Sequence, residues 1–127
     1  MDIYANKSFE MNKRIITNTK DLKFEPFDRY GSVIPGMSWH KVSYDDQTNN
    51  GIYISKLEPG TKTIPHKHIG YEEFFVLEGE LIDSDGTVFK TGDLVTFQPD
   101  SAHGSHTETG CLLITFMRGM NEPLQGG

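Results

Sequence analysis

From about residue 31 onward the hydrophobic positions fall into short runs, each closed by glycine, proline or aspartate. Runs of that length, rich in valine, isoleucine, phenylalanine and tyrosine, predict β-strands at 52–57, 73–77, 80–83, 87–90, 94–97 and 111–117. The last, CLLITFM, is apolar throughout, as expected of a strand buried on both faces. Asp85-Gly86 between LID and TVF is a hairpin signal, and Thr91-Gly92-Asp93 marks a second tight turn. No segment carries a helical stripe bounded by caps. Many short strands at close spacing predict an all-β antiparallel sandwich or small barrel. Residues 1–30 are polar, mixed in charge and weakly periodic, and read as an arm or an edge strand.

At 127 residues the chain is most economically one domain. A formal net charge of −6 and a pI near 5.2 give no electrostatic reason to expect nucleic acid or a membrane surface as partner. Cys111 is the only cysteine, so an internal disulfide and a thiolate metal cluster are both excluded. Within its apolar run it reads as a small buried thiol. The first residues contain no apolar core of signal-peptide length and no run reaches transmembrane length, so a cytoplasmic protein is expected.

The chemistry concentrates in Pro65-His66-Lys67-His68-Ile69-Gly70-Tyr71-Glu72-Glu73. His66 and His68 are two apart, so on a strand both imidazoles leave the same face. Glu72 has the same parity and rejoins them if the corner at Gly70 keeps register. Two imidazoles and a carboxylate on one face suit a borderline divalent metal. The plainer reading is a solvated polar turn, since His-x-His alone is weak. A second polar interruption, Pro99-Asp100-Ser101-Ala102-His103, follows the strand at 94–97, and His103 reaches the same cavity if the strands share one barrel. His106 is its nearest competitor. His40 reads as structural or exposed, Glu73 as a salt-bridge or rim residue, and Glu78 and Glu80 as solvated around a turn at Gly79. Phe74, Phe75, Val76, Phe97, Phe116 and Met117 read as core; Trp39, Tyr53 and Tyr71 are candidates for a pocket wall.

Gly60, five residues, His66-x-His68, three residues, Glu72, six residues, Gly79 resembles the first cupin motif at every position. Gly92-Asp93 to Pro99-x-x-x-His103 is similar to the second, in the place where that family supplies its last histidine. Within the superfamily, GYEEFFVLEGELIDSDG, FKTGD, PDSAH and Gly110-Cys111 resemble the cupin domain of ChrR-type anti-sigma factors and the related acetylacetone-type dioxygenases. The resemblance implies a single-domain cupin, an antiparallel jelly-roll barrel over 31–120. An arm or extra edge strand would precede it in 1–30, and a tail would follow in 121–127. It makes His66, His68, Glu72 and His103 the ligands of a divalent metal, zinc or iron first, manganese or nickel next. It also implies a small-molecule ligand in the barrel and a homodimer. Two functions follow: a zinc-holding sensory module, or a non-haem Fe(II) dioxygenase acting on a small dicarbonyl or hydroxyketone-like compound. Ser101 and Thr107 depart from the usual second motif. The chain has no cysteines for the zinc cluster of the ChrR-type N-terminal domain, and dioxygenases of the acetylacetone type use three histidines without the glutamate.

Overall fold

The structure, a computed structural model, describes residues 3–5 and 12–124. After a short 3-10 turn at Ile3–Ala5 come β1 (Glu25–Pro26), β2 (Met37–Lys41), β3 (Asn50–Leu57), β4 (His66–His68), β5 (Tyr71–Asp83) and β6 (Val88–Lys90). Then follow β7 (Leu94–Phe97), β8 (Ala102–His103), β9 (Ser105–His106), β10 (Cys111–Arg118) and β11 (Asn121–Pro123). The ladders make an eight-stranded sheet, in the order β1-β2-β3-β10-β5-β6 with β7 and β9 also on β5, and a three-stranded sheet, β11-β4-β8. The pairs are antiparallel, and the fold is an all-β jelly roll of cupin type; among the described residues its ladders form two sheets rather than one closed barrel. The edge strand expected within 1–30 is β1, while residues 1, 2 and 6–11 lie outside the described residues, as do 125–127 of the expected tail. No helix among the described residues is long and apolar enough to cross a membrane.

Two predicted strands, 73–77 and 80–83, are one continuous β5. Its first half pairs with β10 and β7, its second half with β6 and β9. The pairing with β10 slips between Leu112 and Leu113, and the bulge lets one strand serve both ladders. Gly79, read as a turn residue, therefore lies inside a strand. Its φ of +78° and the adjacent Gly110 carbonyl explain why a side chain is absent there.

Strand β10 is not buried on both faces as its composition suggested. Cys111, Leu113, Thr115 and Met117 point inward, while Leu112, Ile114 and Phe116 line the outer face. Phe116, expected in the core, is 45% exposed. Across the sheet Ile54, Ile114, Phe75 and Leu94 stand in one register row, so an apolar band crosses that outer face. The inner face is the core proper: Leu57, Phe74, Val76, Leu81, Cys111 and Leu113. Each large side chain buried there stabilises the fold by about 1.5–3 kcal/mol.

A second cluster joins Phe27, Ile34, Trp39, Tyr53 and Met117. Its rings meet edge to face, Phe27 on Trp39 at 4.7 Å and Trp39 on Tyr53 at 5.3 Å. The segment before β2 is thereby fixed against the sheet, with Tyr30 beside His66.

Candidate metal centre

Antiparallel pairing sets the site. His66 on β4 lies directly opposite His103 on β8, and the two-residue spacing puts His68 on the same face as His66. Glu72 comes from the other sheet, on the inner face of β5. Gly70 lies in the bend between them, where the corner was expected. Its φ is ordinary, but a Cβ there would overlap the Arg118 carbonyl oxygen, so the close approach of β10 requires glycine. One ligand atom each from His66, His68, Glu72 and His103 lies within 4.8 Å of the others, and all four residues are buried.

Hydrogen bonds fix the orientation of each group. His66 Nδ1 donates to the Ile64 carbonyl at 2.9 Å. His68 Nδ1 faces the Ser101 carbonyl at 3.2 Å and Ser101 Oγ at 3.0 Å; that hydroxyl spends its proton on the Gln98 carbonyl, so it accepts from the imidazole. His103 Nδ1 donates to the buried Asp83 carboxylate at 2.7 Å. With every Nδ1 acting as donor, each neutral ring turns an Nε2 lone pair toward the centre.

With all three rings neutral the converging atoms are acceptors, and in the absence of an ion a proton must bridge His68 Nε2 and Glu72 Oε2. His66 Nε2 and His68 Nε2 are 3.2 Å apart, and Glu72 Oε2 is 3.0 Å from His68 Nε2. His103 Nε2 is buried with no hydrogen-bond partner. Converging lone pairs around a carboxylate repel one another unless a cation lies among them, so the donor set fits a divalent ion. Burial holds the His66 imidazolium down to about 4, against the pull of Glu72. Burial opposes the charge on Glu72, but the bond to His68 and the nearby His66 outweigh it and hold the carboxyl at about 2. Both groups are thus in metal-ligating form at neutral pH. Phe97 backs the site, stacked on His68 at 4.9 Å and 4.1 Å from the His103 ring.

Glu72 Oε1 accepts from Asn121 Nδ2 at 3.0 Å, and the same amide reaches the Tyr30 hydroxyl. Asn121 opens β11, within the segment read as a tail. Tyr30 also accepts from Arg29. Sequence reasoning named none of Asp83, Ser101, Asn121 and Tyr30 as supports; the one usable signal was Asp83, whose parity with Leu81 turns a carboxylate inward. His106, the competitor of His103, is half-buried on β9 opposite Ile82 and outside the cluster. Glu73 pairs with Arg118 at 3.0 Å, as a rim residue. His40 is half-buried and meets the Lys23 carbonyl. A cavity of about 50 Å³ adjoins His66, Glu72 and His103. Tyr53 lines it, whereas Trp39 lies behind Tyr53 and Tyr71 stacks at the surface under Arg118.

The family described as ChrR Cupin-like domain matches residues 12–121, and the chain belongs to that family. No curated protein matches it significantly. Among solved structures, an RmlC-like cupin from Ralstonia eutropha JMP134 is similar at TM-score 0.71 and 17% identity, over 85% of this chain and 70% of that one. An acetylacetone dioxygenase from Acinetobacter johnsonii is similar at TM-score 0.66 and 17% identity, over 92% and 80%. The structure of Rhodobacter sphaeroides SigE in complex with the anti-sigma ChrR is similar at TM-score 0.62 and 17% identity. That match covers 80% of this chain but about half, 51%, of the other. At these identities the likeness is one of fold.

Proposed function

We propose that the chain is a metal-binding cupin of the ChrR-like type, holding one divalent ion through the Nε2 atoms of His66, His68 and His103 and the Oε2 of Glu72. The buried, unpartnered Nε2 of His103 carries this reading, because an orphaned acceptor at that depth costs about 1–3 kcal/mol without a partner. Zinc or iron suits three imidazoles and a carboxylate, with manganese and nickel next. A bound ion would supply Lewis-acid or redox chemistry at that point. The chain's own residues hold three imidazoles in one tautomer, keep Glu72 ionised and exclude bulk water with Phe97 and Tyr30. Elemental analysis of protein purified without added metal tests the reading. Close to one ion per chain is expected, falling to a small fraction in His103→Ala and His66→Ala. Full occupancy in both variants would sink it.

A second reading makes this site a non-haem Fe(II) dioxygenase for a small dicarbonyl or hydroxyketone-like compound. The cavity beside the ligands supports it, since it leaves space for a small compound next to the ion. Anaerobic loading with Fe(II), then oxygen uptake across such a panel, separates the readings. Uptake lost in His66→Ala supports the enzyme; tight zinc without turnover supports a sensory module with a protein partner. The exposed Leu94 and Phe116 on the outer sheet face support the further proposal that two copies pair, and light scattering should return a dimeric mass, reduced to monomer in Leu94→Lys.

A further inference from the structure

The cavity beside the centre contains a second polar point that the metal reading leaves unused. Ser55 is 1% exposed, lines the cavity, and its hydroxyl has no hydrogen-bond partner. The register explains its position: Tyr53, Ser55 and Leu57 share the inner face of β3, and Ser55 pairs with Trp39 on one side and Leu113 on the other. It stands four residues along and two strands across from Glu72. Between them the wall is mostly apolar, with Ile34, Met37, Leu57, Phe74 and Leu113. The nearby Thr115 is already engaged with Tyr53. Among the described residues no lysine or arginine lines this cavity, and Glu72 adds negative charge. A ligand reaching Ser55 therefore has no counter-charge for an anionic tail.

We propose that Ser55 is the distal recognition point of the cavity, and that the ligand is a slender neutral molecule with a metal-binding oxygen head, an apolar body and one uncharged oxygen hydrogen-bonded to the Ser55 hydroxyl. This rests on the metal reading above, and it selects against dicarboxylates and phosphates. A buried hydroxyl left unpaired is costly, whereas a carbonyl, ether or hydroxyl oxygen at that point satisfies it.

The test uses zinc-loaded protein and straight-chain hydroxamates from propionyl to octanoyl, each beside a counterpart with one chain methylene replaced by ether oxygen. A succinyl hydroxamate supplies a charged tail. At one chain length the ether compound should bind about tenfold tighter than its alkyl counterpart, the size of a single neutral hydrogen bond. Ser55→Ala should erase that advantage while zinc content and alkyl affinity hold, and Ser55→Cys should weaken it. No length at which oxygen helps, an advantage kept in Ser55→Ala, or tightest binding by the charged tail would each overturn the proposal. Zinc uptake measured in the same samples separates the two readings. Protein that takes zinc but shows no tail preference removes only Ser55's role, and protein that takes none removes both.

Discussion

The bond from His103 Nδ1 to the Asp83 carboxylate fixes one tautomer and makes Nε2 a stronger donor toward a cation. Asp83 also accepts the Ser84 amide, so its own position is set by the backbone. Asp83→Asn keeps an acceptor but loses the charge, and Asp83→Ala loses both. Metal affinity should fall about tenfold in the first and toward a hundredfold in the second, read by chelator competition. Equal affinity in all three proteins would contradict the role. At this scale the sequence was legible where spacing encodes geometry. His66 and His68 share a face because they are two apart on one strand, whereas Glu72 stands on a strand of the other sheet, across the bend at Gly70, where parity along one strand no longer applies. Asp83, Ser101 and Asn121 reach the site from other strands, so no local spacing announces them.

At the scale of elements, β5 does the most to build the molecule, because one strand runs through both ladders. The bulge beside Gly79 makes that possible, and alanine there meets the Gly110 carbonyl as well as an unfavourable φ. Gly92 has a similar φ, +96°, with open space around it. Gly92→Ala should therefore cost about 1–2 kcal/mol, and Gly79→Ala clearly more, in urea unfolding. Equal costs would mean that β10 can yield. The reading of two strands with a turn at Gly79 failed for a physical reason. A glycine at positive φ looks the same in sequence whether it closes a hairpin or relieves a bulge. β10 misled similarly, because an apolar band on an outer face gives the same run of letters as a doubly buried strand. The short β4, β8, β9 and β11 lie in polar segments whose strand character comes from pairing, not composition.

For the molecule as a whole, the buried centre ties stability to pH. Without metal, His66 titrates at about 4 when folded and near 6.5 when unfolded. Between those values the unfolded chain binds a proton that the folded one refuses, so stability falls as pH falls through that window. Glu72, at about 2 when folded and near 4.5 when unfolded, contributes stability that is present above 4.5 and lost as pH falls toward 2. The two act in the same direction. Chemical unfolding of metal-free protein should show stability declining from about pH 6.5 downward, with a flatter slope between 6.5 and 4 in His66→Gln. A profile unchanged down to pH 4 would contradict this. The placement of the four side chains has a mechanical consequence too. His66, His68 and His103 belong to the three-stranded sheet, while Glu72 belongs to the eight-stranded one and is steadied by Asn121 from β11. An ion held by all four would rivet the small sheet onto the large one, so loading and emptying would change how firmly the two move together.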